Sequence, residues 1–210
     1  MRLRITFSKT GALRYIGHLD LHQVWERTIR RADLPLAYTQ GFHPGPRIQI
    51  AAALPLGFSG LAEVVDVWLK EDPVDMQITR YQDRIQSAAP PGLILLDVEP
   101  VDERGPALQT QVTAAEYEVT LLDVDAGFDI QARVASLLAA ASLPRERRGK
   151  PYDLRPLILC LETTDGALHM QLAAREGATG RPEEVLAELG IPLESARITR
   201  NRLFFKSDVK

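Results

Sequence analysis

Apolar positions in the first half of the chain recur with two periods. RLRITF alternates and predicts a strand. HLDLHQVWERTIRRADL has apolar residues at 21, 24, 25, 28, 29 and 32, which is helical spacing. PRIQIAAALPLG and GLAEVVDVWLKE predict two strands, joined by the short turn FSG into a hairpin. VDMQITRYQDRIQSA places Met76, Ile78, Tyr81 and Ile85 in helical order, and Pro90-Pro91-Gly92 stops it. LILLDVEP predicts a last strand. The order is β-α-β-β-α-β.

A polar stretch with Gly105 and Pro106 as breakers follows and predicts a linker. The second half then restarts the pattern. AEYEVTLLDV predicts a strand and IQARVASLLAAAS a helix. PLILCLETTDGALHMQLAA predicts a hairpin turning at Asp165-Gly166. RPEEVLAELG predicts a helix with Pro182 near its start and Gly190 at its end. ARITRNRLFF predicts the final strand. Two copies of one order predict an α+β, tandem ferredoxin-like fold: antiparallel sheets, each with helices on one face. The expected boundaries are 1–103, a linker at 104–112, and 113–210. Each sheet's open face must pack on something or bind something.

The 210 residues suit one large domain or two small ones, and 45% apolar with 25% charged residues describes a folded chain. No apolar run reaches the roughly 18 residues of a membrane helix. The alternating N-terminus has no signal-peptide core, which predicts a cytoplasmic protein with no membrane association. The single cysteine, Cys160, excludes a disulfide framework and a cysteine-ligated cluster held by this chain alone. Within LILCL it is expected as a small buried hydrophobe.

The net charge of −3 conceals an asymmetry. Residues 1–60 hold eight Lys and Arg against three Asp and Glu, residues 61–130 four against fifteen, and residues 131–210 thirteen against ten. Basic residues gathered on one face can bind a polyanion whatever the total charge.

Candidate contacts follow from that grouping. Arg14, Arg27, Arg30 and Arg31 lie on or before the first helix, where guanidinium groups can grip phosphates bidentately. His18 and His22 are four apart, but HLDLH is not HExxH and no third ligand follows, so His18 is expected to form a hydrogen bond or face a substrate, with no metal site. YTQGFHPGPR combines Gly41 and Gly45 with Pro44 and Pro46, a loop of few conformations whose N–H groups can meet an anion. Tyr38 and Phe42 can stack there, and His43 and Arg47 are its polar contacts. PRERRGKPYDLRP is its counterpart in the second half, with Arg145, Arg147, Arg148, Lys150, Tyr152, Asp153 and Arg155. Its RERRGK part reads equally as a flexible basic loop, and an Asp153–Arg155 pair as structural. Arg197, Arg200 and Arg202 lie near the last strand. GxGxxG, the Walker loop, GxSxG and CxxC are all missing, and no cofactor is expected.

The run LRYIGHLDLHQVWERTIRRADLPLAYTQGFHPGPRIQIAAALPLGF resembles the radical SAM-linked protein family, a domain of unknown function. So does GKPYDLRPLI, at the matching place in the second half. Gly17 stands where that family usually has Ser, His43 where it has Asn, and Gly45 where it often has His. The resemblance implies a separate radical SAM protein as partner. It makes this chain a non-catalytic accessory subunit, in keeping with one cysteine where a radical SAM cluster needs three. With the basic loops, this leads to the expectation of a module that presents an RNA, tRNA or rRNA. The alternatives are a protein-interaction subunit without nucleic acid, and a metal-independent endoribonuclease using His18 or His43. For the latter there is a fold-level similarity to CRISPR repeat-processing endoribonucleases.

Overall fold

The computed structural model describes residues 1–70, 78–122 and 128–208. The expected helix residues 74–77 and the expected strand residues 71, 123 and 124 lie outside these. The chain divides into two compact units, Met1–Val112 and Thr113–Lys210.

The first unit runs β1 (Arg2–Lys9), α1 (His18–Arg31), β2 (Ile48–Ile50), β3 (Ser59–Trp68), α2 (Ile78–Ala88) and β4 (Leu93–Val101). Its strands pair antiparallel in the order β2-β3-β1-β4, the ferredoxin-like arrangement. Alternation sorts the two faces of the sheet. Leu3, Ile5 and Phe7 of β1 join Val65 and Val67 of β3 in the core, with Leu21, Trp25 and Ile29 of α1 and Tyr81 and Ile85 of α2. The Phe7 and Trp25 rings meet edge to face at 4.8 Å.

The helix ends at Arg31, three residues short of the segment expected to be helical. Asp33 takes a left-handed φ of +54° and Pro35 follows, which together break the helical path. The first hairpin is also shorter than its sequence suggests. β2 has three residues, and residues 51–58 are not strand; Pro55 among them has no N–H to give a ladder. Gly57 instead donates its N–H to the Arg14 carbonyl at 2.8 Å.

The other face of this sheet carries Arg2 and Arg4 opposite Trp68 and Asp66. Residues 102–108, the last of which were expected to begin a linker at 104, lie over it. Leu108 is fully buried and donates its N–H to Gln49 Oε1 at 3.1 Å. The Arg2 guanidinium donates to the carbonyls of Asp102, Gly105 and Pro106 at 3.3, 3.1 and 3.1 Å.

The second unit runs β5 (Val112–Leu121), α3 (Ile130–Ala139), β6 (Pro144–Arg147), β7 (Lys150–Asp153), β8 (Ile158–Thr164), β9 (Ala167–Arg175), β10 (Ala178–Thr179), α4 (Pro182–Leu189) and β11 (Ala196–Phe205). The order β8-β9-β5-β11 repeats the ferredoxin-like arrangement, and β10 folds back on the end of β9. Asp165 and Gly166 turn the β8–β9 hairpin with φ of +53° and +78°. Pro182 opens α4 and Gly190 closes it in the left-handed region.

Two features of this unit correct the sequence reading. RERRGK is no flexible loop: it forms the ordered hairpin β6–β7. Cys160 is exposed, not buried, because the ladder slips between Ile158 and Cys160 and turns consecutive side chains outward. Among the described residues no helix is long and apolar enough to cross a membrane.

Candidate binding loops

Both units insert a closed loop at the same point of the repeat, between the first helix and the second strand. In the first unit, Tyr38 bridges Pro46, and the Thr39 N–H donates to the Gly45 carbonyl at 2.8 Å. The Gly45 N–H returns to Thr39 Oγ1 at 3.0 Å, and the Arg47 N–H reaches the Ala37 carbonyl at 2.8 Å. Gly41, at φ +138°, turns the tip in a conformation other residues resist. Beyond this closure Phe42 is completely exposed, at 102% of its reference area. His43 beside it is exposed and makes no hydrogen bond or ion pair among the described residues.

Arg47 points back rather than out. Its guanidinium stacks on the Trp68 ring at 4.8 Å and lies 3.9 Å from Glu103. The Tyr38 hydroxyl lies 3.4 Å from Glu26 Oε1 on α1. Of the arginines expected as one cluster, Arg27, Arg30 and Arg31 lie in the last turn and a half of α1, whereas Arg14 lies before its first residue, and the 14 residues of the helix span about 20 Å. Arg14 precedes the helix and stacks on the exposed Tyr15 ring at 4.6 Å. His18 is the first helical residue and is exposed. Arg30 pairs with Glu26 at 3.8 Å. Arg31 donates to the Ala88 carbonyl at 3.4 Å and lines an open groove with Asp33, Asp83 and Arg84. Arg27 is exposed and has no such partner among the described residues.

In the second unit the three expected contacts all act on the protein itself. Asp153 Oδ1 accepts the N–H groups of Leu143 at 2.7 Å and Arg155 at 2.9 Å, closing the base of the β6–β7 hairpin. Those two donors hold its carboxyl below the ordinary aspartate value. Arg155 donates to the Leu138 carbonyl at 3.0 Å, capping the last turn of α3. Tyr152 accepts from Arg147 Nη2 at 3.1 Å, and that guanidinium stacks on its ring at 4.8 Å. Desolvation, then the nearby Glu184 carboxylate, raises the Tyr152 phenol, with Arg147 opposing.

Arg147 also meets both Glu184 oxygens, at 2.7 and 2.8 Å, and Arg145 meets Glu188 at 2.5 Å. Desolvation works against the Arg147 charge, and the bonds and charge of Glu184 outweigh it. What remains outward is the turn itself, Arg148-Gly149-Lys150. Arg148 and Lys150 are exposed, and their side chains have no hydrogen bond or ion pair among the described residues. Sequence alone did not separate these two from their neighbours, since the α4 carboxylates that claim Arg145 and Arg147 lie over 30 residues away. Among the described residues no cluster of three or more His, Cys, Asp or Glu is arranged to hold a metal.

No curated protein matches the chain. Among solved structures it is similar to a chain in "Crystal Structure of a Cbf5-Nop10-Gar1 Complex", at 10% identity and TM-score 0.49, covering 97% of this chain and 50% of that one. The chain thus spans about half the length of that protein. It is also similar to the acetolactate synthase small subunit from Thermotoga maritima, at 11% identity and TM-score 0.25, covering 97% and 95%. At these identities neither title bears on what this chain binds. A family model matches residues 2–182, and the chain belongs to that family, described as "Uncharacterized protein conserved in bacteria (DUF2344)".

Proposed function

We propose that this chain is a non-catalytic accessory subunit that presents an RNA, tRNA or rRNA, to a separate radical SAM enzyme. The observation that carries the reading is the paired closed loops, one at the same place in each repeat, with side chains held outward at their tips. An aromatic held clear of its own protein is free to stack on an unpaired base, a contact of about 1–3 kcal/mol. Exposed cations at the second tip suit a phosphate backbone. The resemblance to the radical SAM-linked family supports the partner, and the single cysteine suits a subunit that leaves the cluster to that partner.

The test is binding of tRNA and rRNA fragments to the full chain from low to moderate salt, together with a native pull-down in which protein and RNA are both identified. The reading expects affinity to fall steeply with salt, Phe42→Ala to weaken binding about tenfold, and a radical SAM protein to co-purify. Undetectable or salt-insensitive RNA binding overturns the RNA role. Absence of a radical SAM protein overturns the partnership.

One observation favours a second reading, a protein-interaction subunit without nucleic acid. Arg47 is withdrawn onto Trp68, and Phe42 stands exposed in the run with Gly41, His43 and Pro44, a tip that suits an apolar pocket on a protein. Co-purification that survives nuclease treatment and is lost in Phe42→Ala supports it. The endoribonuclease alternative fails if RNA stays intact, or if cleavage survives His18→Ala with His43→Ala.

A further inference from the structure

We infer that the β6–β7 tip is a phosphate-contacting element, in which Arg148 and Lys150 grip the phosphodiester backbone of a bound RNA. This rests on the RNA-presenting reading and assigns it a site. Arg147 pairs with Lys150, so Arg148 and Gly149 form a two-residue turn, with φ of +53° and +74°. Both angles suit the turn type whose twist matches a β-ribbon. Asn or Gly ordinarily fills its first position, because a side chain there is strained in the left-handed region. An arginine here places a guanidinium at the extreme of the ribbon.

The ribbon beneath is held at three levels. Asp153 closes the base on Leu143 and Arg155. Arg145 reaches Glu188, and Arg147 reaches Glu184, Tyr152 and, at 3.1 Å, the Thr179 carbonyl. These contacts neutralise two of the hairpin's four cations and leave the two at the tip for a ligand. The hairpin's one exposed carboxylate, Glu146, pairs with Pro151 and lies on the face opposite Lys150. A rigid ribbon bearing two unneutralised cations loses little freedom on meeting a polyanion, which is why the anchoring points to a ligand rather than a solvated turn.

The experiment measures tRNA binding to the full chain by fluorescence anisotropy between about 50 and 200 mM KCl. Arg148→Asn with Lys150→Gln removes both charges and keeps a residue suited to positive φ. Each lost phosphate contact flattens the slope of log affinity against log salt by about 0.7–0.9, so the double variant is expected to lose about 1.5 in slope. Arg148→Lys with Lys150→Arg keeps the charges and is expected to keep the slope, which separates contact from misfolding. Phe42→Ala is expected to weaken binding with the slope unchanged, as a stacking loss should. Wild-type binding with an unaltered slope in the double variant overturns this assignment and leaves the RNA reading standing. No wild-type binding overturns both. A double variant that binds RNA normally but loses a co-purifying protein shows that the tip meets protein instead.

Discussion

Arg2 and Asp66 form a buried ion pair, with Arg2 Nε 2.9 Å from Asp66 Oδ2 and side chains only 2% and 0% exposed. Arg4 adds a second guanidinium at 3.0 Å, so two cations share one carboxylate. The same Arg2 stacks on Trp68 at 4.7 Å and holds three carbonyls of the 102–106 segment. Asp66→Asn leaves two guanidinium groups facing an uncharged amide. Breaking a buried pair this way costs about 3–5 kcal/mol. Urea unfolding of the variant is expected to show that loss, with the 102–108 segment becoming more susceptible to protease than the core.

Asp153 makes the hairpin base sensitive to acid. Its carboxyl titrates below the ordinary aspartate value in the folded chain because the Leu143 and Arg155 N–H groups bond the charged form. A depressed folded value adds stability above the ordinary aspartate range and loses it as pH falls through the folded value. Asp153→Ala is therefore expected to be less stable than wild type at neutral pH. The gap should narrow as pH falls below about 4. Denaturation midpoints across pH read this directly, and a pH-independent gap refutes it.

Gln86 guards the free edge of β4. Its Oε1 accepts the Leu95 N–H at 2.7 Å and its Nε2 donates to the Leu93 carbonyl at 3.3 Å, standing in for a neighbouring strand. Ile94 and Leu96 beside it are half exposed. Gln86→Ala uncovers these backbone groups next to apolar side chains, the pattern of an aggregating edge. A loss of about 1 kcal/mol is expected. Sedimentation should also show self-association that wild type lacks at equal concentration.

Cys160 is expected to react with a thiol reagent in the native protein, without denaturant, because the register slip on β8 exposes it. Reaction only after unfolding would contradict this placement.

Where hydrophobic period and turn chemistry were local, the sequence carried the fold. The stripes of α1 and α2, the Asp165-Gly166 turn, and the Pro182 and Gly190 ends of α4 are local properties that a window of about a dozen residues records, and reading such windows in series gave the repeated order. So is the turn at residues 41–46, where Pro44 and Pro46 fix φ and Gly41 permits an angle that other residues resist.

Only the tertiary structure decided which charged and aromatic groups are free. YTQGFHPGPR and RGKPYDLRP present Arg47, Tyr152, Asp153 and Arg155 as equals of Phe42, Arg148 and Lys150. Folding draws the first four onto Trp68, Glu103, Glu184, the Leu143 N–H and the Leu138 carbonyl. The register slip that exposes Cys160 is equally absent from LILCL. Ion pairs, stacks and bulges depend on residues brought together from distant parts of the chain, and a linear pattern records a side chain's type but not its partner.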